Sequence, residues 1–230
     1  MYKKILIKFS GESFGAKGGQ IDPARVKKIV GELAGLRRAK IKVAVVTGGG
    51  NVSRWKDRKK GDRVEVDLEG IKGTLKNVRP LEAALKKAGL PVKVYASFAL
   101  KTKYSVFNYH QVRQDWQAGK ILIFAGGTGH PFFTTDTAAI LRALEIGAEV
   151  FIKATKVEGI YTADPFKNPR AKKISSISYK EFIEQNLKVI DSTAVALAWD
   201  NGLPIRIVKW TEGNVLKLIK GGKIGSIIKS

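Results

Sequence analysis

The sequence predicts an α/β protein in which a mostly parallel central sheet lies between two layers of helices. Short apolar runs rich in β-branched residues alternate along the chain with segments of helical periodicity. This β-α-β-α order favours parallel strands with helices packed on both faces of the sheet. Hydrophobic residues make up 44% of the 230 residues, which is typical of a chain with a packed core. We therefore expect one three-layer α/β/α sandwich spanning residues 1–230.

Six apolar segments, each bounded by glycine, proline or charged residues, have the pattern of buried strands. They are Ile5–Phe9, Val43–Thr47, Val92–Ala96, Ile121–Ala125, Val150–Ile152 and Ile205–Val208. The first helix is expected to begin at Asp22 and Pro23, because aspartate caps helices well and proline suits the first helical position. Four more helices are expected at Leu81–Ala88, Asp136–Ile146, Ser192–Trp199 and Gly213–Ile219.

The composition favours anionic partners and excludes several kinds of site. Net charge is +22, which suits phosphates, nucleotides or nucleic acid, although a solvated basic surface would also explain many of the lysines. The chain has no cysteine, so disulfides, thiolate metal sites and cysteine nucleophiles are excluded. No apolar run approaches the roughly 18–20 residues that cross a bilayer. The first apolar run ends at Lys8 and indicates a strand rather than a signal peptide, so a cytoplasmic location is expected.

Three predicted strands run directly into loops of small residues, at Ser10-Gly11, at residues 48–51 and at residues 126–129. Parallel sheets bind ligands beyond the carboxyl ends of their strands, where glycine lets backbone N–H groups approach phosphate oxygens. One such loop could be only a tight turn, but three at one sheet edge indicate a phosphate site. None of the loops fits the P-loop or the Rossmann glycine pattern.

Four charged residues next to these loops have two possible explanations. Lys8 and Lys153 end apolar runs, and a buried lysine is costly unless it is paired or faces a site. Lys8 is therefore either a phosphate clamp or a lysine on an edge strand. Asp136 and Asp191 precede helical segments, where helix capping alone would explain them.

Six segments together resemble the bacterial-type uridylate (UMP) kinase family of the amino-acid kinase superfamily, in the same order over nearly the whole chain. They are IKFSGES, VVTGGGNVSR, FAGGTGHPFFTTDTAA, KATKVEGIYTADP, LKVIDSTA and LPIRIV. The resemblance implies transfer of the ATP γ-phosphoryl group to UMP in pyrimidine nucleotide biosynthesis. It also implies an acceptor-binding part at about residues 1–150 and an ATP-binding part at about residues 151–230.

The resemblance also implies the residues of the site. ATP is expected to contact Lys8, Phe9, Ser10, Gly11, Gly50, Arg54, Thr155, Tyr161 and Asp164. UMP is expected to contact Gly49, Asp67, Thr128, Gly129, His130, Pro131, Phe132, Phe133, Thr134 and Thr135. The catalytic residues are expected to be Lys8, Asp136, Lys153 and Asp191. No dedicated protein site for a metal is expected, because Mg²⁺ would be bound mainly through the ATP phosphates.

The chain departs from the family pattern at three places, one of which is Trp55, where the family usually has a small residue. His130 stands where the family typically has asparagine. The segment after Asp67 is polar where the family has an apolar helix, and Pro80 is expected to break or kink a helix there. In the family this helix supports subunit contacts of a hexamer, so we expect a homo-oligomer whose subunit number stays open.

Three other functions compete with the uridylate kinase. The first is another amino-acid kinase acting on carbamate, acetylglutamate or aspartate, against which the segment PFFTTDTAA argues. The second is a catalytically silent binder of an oxyanion or nucleotide. The third is nucleic-acid binding through the basic surface, which the kinase reaction does not require and whose affinity would fall steeply with salt.

Overall fold

The computed structural model of the protein describes residues 1–16, 18–55, 61–97 and 104–230. Its strands are β1 (Lys4–Phe9), β2 (Lys42–Thr47), β3 (Val92–Ala96), β4 (Ser105–Val106), β5 (Ile121–Ala125), β6 (Val150–Thr155), β7 (Ile160–Tyr161), β8 (Lys173–Ile174), β9 (Ser176–Ile177), β10 (Ile205–Lys209) and β11 (Ser226–Ile228). Its helices are α1 (Pro23–Arg38), α2 (Arg63–Lys87), α3 (Tyr109–Gln117), α4 (Thr135–Glu145), α5 (Tyr179–Glu184), α6 (Ser192–Asp200) and α7 (Asn214–Ile219).

Nine of the described strands form one sheet in the order β4-β3-β5-β2-β1-β6-β10-β11-β9. The β10–β11 pair is antiparallel, and the other pairs within this sheet are parallel. Strands β7 and β8 form a separate antiparallel pair. The chain order reverses at β1, which has β2 on one side and β6 on the other. Ligands of open α/β sheets bind at such a reversal, beyond the carboxyl ends of the strands.

Helices cover both faces of the sheet, which confirms the predicted three-layer sandwich. One core contains Ile5, Ile7 and Phe9 of β1 together with apolar side chains of α1, α2 and α7. The other core contains Leu6 of β1 with side chains of α3, α4, α5 and α6. Side chains alternate along a strand, so the next residue on the Leu6 face is Lys8. The sequence of β1 thus directs Lys8 towards the layer that holds α4.

The predicted elements are present with small shifts in their ends. The six predicted strands correspond to β1, β2, β3, β5, β6 and β10. Gly147, just beyond α4, has a φ of +64°, as glycine does at many helix ends. Sequence reasoning missed α3, α5 and the short strands β4, β7, β8, β9 and β11. The division of the chain into acceptor-binding and ATP-binding parts stays a prediction.

The expected break at Pro80 is wrong. Helix α2 runs through Pro80 for 25 residues, so the predicted segment Leu81–Ala88 is the end of a longer helix. Proline removes the hydrogen bond to the carbonyl four residues earlier, which belongs to the exposed Lys76. Val78 and Leu81 on either side of Pro80 are fully buried in the core. Tertiary packing of this apolar face outweighs the local cost of the proline.

None of the helices in the described parts of the chain has the length and apolar character needed to span a membrane.

Candidate active site

The centre of the site is a buried carboxylate shared by two lysines. Lys8 and Lys153 are register partners on the neighbouring strands β1 and β6, close to the carboxyl ends of both. Asp136, in the first turn of α4, lies between them. Its Oδ1 is 3.0 Å from the Lys8 Nζ, and its Oδ2 accepts a hydrogen bond from the Lys153 Nζ at 2.5 Å. All three residues are less than a tenth exposed, and Lys8 lies in the middle of the sheet rather than on an edge strand.

The charges of this cluster do not cancel, because two ammonium groups face one carboxylate. Burial alone would raise the pKa of Asp136, but the charges and hydrogen bonds of Lys153 and Lys8 hold it well below its usual range. Burial lowers the pKa of Lys153 to about 8, with the charge of Lys8 adding to this and Asp136 opposing it. The cluster therefore carries excess positive charge that an anionic ligand would stabilise.

Helix α4 is capped by Thr134, so capping does not explain Asp136. The Thr134 hydroxyl accepts a hydrogen bond from the backbone N–H of Asp136 at 3.0 Å. The Thr134 hydroxyl in turn donates to a carboxylate oxygen of Asp191. Asp191 occupies the N-cap position of α6, but its side chain makes no capping hydrogen bond there. The side chains of both aspartates are directed to the site rather than to their own helix ends.

The two glycine loops beside β1 and β2 lie too close together for larger residues. A Cβ atom on Gly11 would lie 2.4 Å from the Asn51 side-chain oxygen, and one on Gly49 would lie 1.9 Å from the Gly70 carbonyl oxygen of α2. Beneath these loops, Asn51 and Asn77 exchange side-chain hydrogen bonds of 3.0 and 2.9 Å. Asn77 also donates to the Gly48 carbonyl at 2.6 Å. These contacts fix the backbone of residues 48–51.

Helix α2 also holds the third glycine loop. The hydroxyl of the buried Thr74 accepts a hydrogen bond from the Gly126 N–H at 2.8 Å and donates to the Ile71 carbonyl at 2.7 Å. Thr74 and Asn77 lie one helix turn apart on α2, and each forms hydrogen bonds with a different glycine loop. These contacts account for two of the polar residues in the segment after Asp67.

Asp67 links α2 to the loop before α4. Its Oδ2 accepts a hydrogen bond from the backbone N–H of Phe132 at 2.9 Å and lies 3.4 Å from the Arg63 Nε. Phe132 has a φ of +69°, a left-handed conformation that is uncommon for an aromatic residue. Its ring is 61% exposed, and the neighbouring Phe133 is 49% exposed.

Aromatic and charged side chains line the other end of the site, after β6. Phe166 is 67% exposed, and the Lys156 Nζ lies 5.1 Å from the centre of its ring. The Asp164 carboxylate accepts a hydrogen bond from the Phe166 N–H at 3.0 Å. Arg54, which lines the same cleft, lies 3.8 Å from Glu12, and both side chains are partly exposed.

A single cleft of about 780 Å³ joins these parts. Of the residues implied by the resemblance, those that line it are Lys8, Ser10, Gly11, Gly49, Gly50, Arg54, Asp67, Thr128, His130, Phe132, Phe133, Thr134, Thr135, Asp136, Lys153, Thr155, Tyr161, Asp164 and Asp191. Gly129 and Pro131 do not line it, and the Phe9 ring lies in the core against Trp210. Any contact of Phe9 with a ligand would come from its backbone.

Sequence reasoning missed several residues that line the same cleft. They are Glu12, Trp55, Arg63, Thr74, Lys156, Phe166 and Lys188. Trp55 directly precedes residues 56–60, which lie outside the described residues, and Arg63 follows them closely. Phe166, between Pro165 and Lys167, gave no signal of a binding role in the sequence, because single exposed hydrophobic side chains are common on protein surfaces.

Within the residues that the structure describes, no group of three histidine, aspartate or glutamate side chains is arranged to hold a metal ion. Asp136 is already paired with two lysines, and Asp191 is hydrogen-bonded to Thr134. The described residues of the cleft thus present single carboxylates rather than a group that could bind one metal ion together.

Comparisons with known proteins agree over the full length of the chain. The uridylate kinase of Helicobacter hepaticus is 43% identical over 234 residues, which cover 99% of each chain. The uridylate kinase of Methylococcus capsulatus is 40% identical over 232 residues, covering 99% of this chain and 97% of that one. The crystal structure of UMP kinase from Bacillus anthracis has a TM-score of 0.92 at 31% identity, covering 99% and 96% of the two chains. The amino acid kinase family model matches residues 3–209, and the chain belongs to this family.

Proposed function

We infer that this protein is a UMP kinase, which transfers the γ-phosphoryl group of ATP to UMP and gives ADP and UDP. The observation that carries the reaction class is the buried cluster of Lys8, Asp136 and Lys153 at the reversal point of the sheet. Its excess positive charge suits the transfer of an anionic group. The choice of UMP rests on the relatives, which are uridylate kinases and UMP kinases and match nearly the whole length of this chain.

The reaction needs alignment and charge neutralisation rather than a general base. The attacking atom is a phosphate oxygen of UMP, which is anionic near neutral pH. Lys8 and Lys153 neutralise charge on the transferred group, and Asp136 fixes the positions of both ammonium groups. Asp191 and Thr134 hold the start of α4, whose backbone N–H groups favour an anion. The reaction does not require His130 or His110 for proton transfer.

The two nucleotides would enter from opposite ends of the cleft. ATP would lie along Ser10, Gly11, Gly50 and Arg54, with its adenosine between Thr155, Tyr161 and Asp164. UMP would lie along Gly49, Asp67 and the residues 128–135. The ATP triphosphate and the UMP phosphate would then meet at the cluster of Lys8, Asp136 and Lys153.

The chemistry of the donor set fits Mg²⁺ that is held mainly through phosphates. Single carboxylates line the cleft, among them Asp136, which lies between Lys8 and Lys153, and Asp191, whose charge acts on Lys153. Mg²⁺ binds one or two carboxylates and keeps substrate phosphates as its other ligands. When bound, it would neutralise charge on the β- and γ-phosphates of ATP.

We also propose a homo-oligomer in the cytoplasm, where ATP and UMP are available. Light scattering coupled to gel filtration measures the subunit number. A monomeric mass at micromolar concentration would overturn the proposed assembly without affecting the proposed reaction.

The reaction is tested by measuring ADP release in a coupled assay with a panel of acceptors. The panel contains UMP, CMP, dUMP, AMP, carbamate and acetylglutamate, with Mg²⁺ and ATP fixed. We expect turnover with UMP far above that with the carboxylate acceptors. Turnover with carbamate or acetylglutamate instead of UMP would assign a different amino-acid kinase activity. No turnover with any acceptor would favour a silent nucleotide binder.

A further inference from the structure

Arg63, at the start of α2, has an unusual position for an arginine that lines a cleft. Its Cζ lies 4.7 Å from the centre of the Phe132 ring and 5.9 Å from the centre of the Trp55 ring. Its Nε lies 3.4 Å from the Asp67 carboxylate one helix turn later. The side chain is 42% exposed, so it keeps contact with solvent while it contacts both rings. A guanidinium plane suits such contacts because it is weakly hydrated and stacks on aromatic faces.

Phe132 needs to be held in place. Its left-handed backbone, with a φ of +69°, is strained for a residue with a Cβ, and such strain persists only where the surroundings determine the conformation. The Asp67 carboxylate fixes its backbone by accepting the N–H at 2.9 Å. Its ring is 61% exposed, and Arg63 is the cation over it. Asp67 and Arg63 thus hold the backbone and the ring of the same residue.

We propose that Arg63 is a further positioning residue for the acceptor nucleotide, which acts by holding the ring of Phe132 and with it the loop of residues 128–135. This inference rests on the proposed function, because that loop forms the acceptor wall of the cleft. The Nε is directed to Asp67 and the Cζ to Phe132, so both contacts lead to the loop. Arg63 therefore acts through Phe132 rather than through a bond to the nucleotide.

The kinetic test compares Arg63→Met and Arg63→Lys with the wild type. Methionine keeps the length of the side chain without charge, and lysine keeps the charge without the planar group. For Arg63→Met we expect the KM for UMP to rise roughly tenfold, as fits the loss of one cation–π contact and one ion pair. The KM for ATP and kcat stay within about twofold, since binding of UMP alone is affected. Arg63→Lys recovers part of the loss.

Arg113→Met is the matched control. The Arg113 Cζ lies 5.4 Å from the centre of the Tyr109 ring on α3, outside the residues that line the cleft. We expect this variant to keep the wild-type KM for both nucleotides. If Arg63→Met leaves the KM for UMP unchanged, or raises both KM values and lowers kcat together, the proposal is wrong.

A double-mutant cycle distinguishes positioning from direct contact. If Arg63 acts through Phe132, the Arg63→Met change adds less than about twofold to the KM for UMP in a Phe132→Leu background. If the increases in the KM for UMP caused by Arg63→Met and Phe132→Leu multiply in full, Arg63 contacts the nucleotide itself. The proposed action through Phe132 would then be wrong.

Hydrogen exchange gives a readout that does not depend on turnover. The Phe132 N–H donates to Asp67, so in the ligand-free protein we expect faster exchange of residues 128–135 in Arg63→Met and not in Arg113→Met. If the wild type phosphorylates UMP but residues 128–135 of Arg63→Met exchange no faster than in the wild type, the role of Arg63 is refuted and the proposed function is not. Faster exchange in a protein that does not phosphorylate UMP would refute the proposed function and leave the loop contact standing.

Discussion

At the scale of single residues, Lys8 can be removed without leaving the buried carboxylate of Asp136 unpaired. Without Lys8, Asp136 still has Lys153 as a partner at 2.5 Å, so no buried charge is left alone. For Lys8→Ala we therefore expect a folded protein whose kcat falls about 10²–10³-fold, as when one group that stabilises transition-state charge is removed. Thermal unfolding and the coupled assay measure the two effects. Lys4→Ala, an exposed lysine on the same strand, serves as the control and should keep full activity. Turnover of Lys8→Ala close to that of wild type would exclude the assigned role.

The lowered pKa of Lys153 makes ATP binding sensitive to alkaline pH. Burial and the charge of Lys8 lower this pKa to about 8, against the opposing effect of Asp136 and Asp191. Bound phosphates favour the protonated form and raise the pKa again. ATP affinity is therefore highest well below pH 8, where Lys153 is protonated, and above pH 8 it falls by up to about tenfold per pH unit until the pKa of the complex is reached.

Isothermal titration between about pH 7.5 and 9.5, in buffers of different ionisation enthalpy, measures both the affinity and the proton uptake. Lys153→Arg is the comparison, because a guanidinium stays protonated over this range. We expect its affinity to be independent of pH and its binding to take up no proton. The same pH profile in both proteins would show that Lys153 is not the titrating group.

At the scale of elements, buried polar side chains of α2 form hydrogen bonds with two glycine loops, residues 48–51 and residues 126–129. In Asn77→Ala the Gly48 carbonyl and the Asn51 amide lose their partners, and both are buried. We expect a loss of about 2–3 kcal/mol in the free energy of unfolding, the cost of burying polar groups without hydrogen bonds. The KM values for both nucleotides should rise, because Gly49 and Gly50 belong to the released loop. Urea unfolding and steady-state kinetics measure these changes.

Lys76→Ala, one residue earlier on the exposed side of α2, provides the control, with an expected change within about 0.5 kcal/mol. An Asn77→Ala protein as stable as Lys76→Ala would contradict the supporting role of the helix.

The same helix shows how far the sequence alone leads. The alternation of strands and helices and the glycine loops were sufficient for the sandwich and for the sheet edge that carries the site. The length of α2 could not be predicted from the sequence, because Pro80 and the polar Thr74 and Asn77 locally disfavour a helix. Their side chains make sense only once loops distant in sequence are in place. The Arg63–Phe132 contact was likewise beyond prediction, since it joins residues whose proximity depends on the packing of α2 against the loop before α4.

At the scale of the whole molecule, the net charge of +22 should draw two anionic substrates towards the cleft. Charges far from the site act through this field, whose range shrinks from about 30 Å at 10 mM salt to about 8 Å at 150 mM. We expect kcat/KM for UMP to fall several-fold over this range while kcat at saturation changes less than about twofold, because salt slows the encounter rather than the chemistry.

A variant with four exposed lysines outside the cleft changed to glutamate separates the general field from local contacts. Lys27 and Lys28 on α1, Lys217 on α7 and Lys220 just after α7 are suitable, because none of them lines the cleft. We expect this variant to have a lower kcat/KM at low salt, a shallower dependence on salt and an unchanged kcat. If kcat instead falls in parallel with kcat/KM as salt is added, salt acts on the bound complex, and the basic surface has no part in substrate capture. A dependence on salt as steep as that of the wild type would place the effect in the cleft itself, with Lys8, Lys153 and Arg54 as its source.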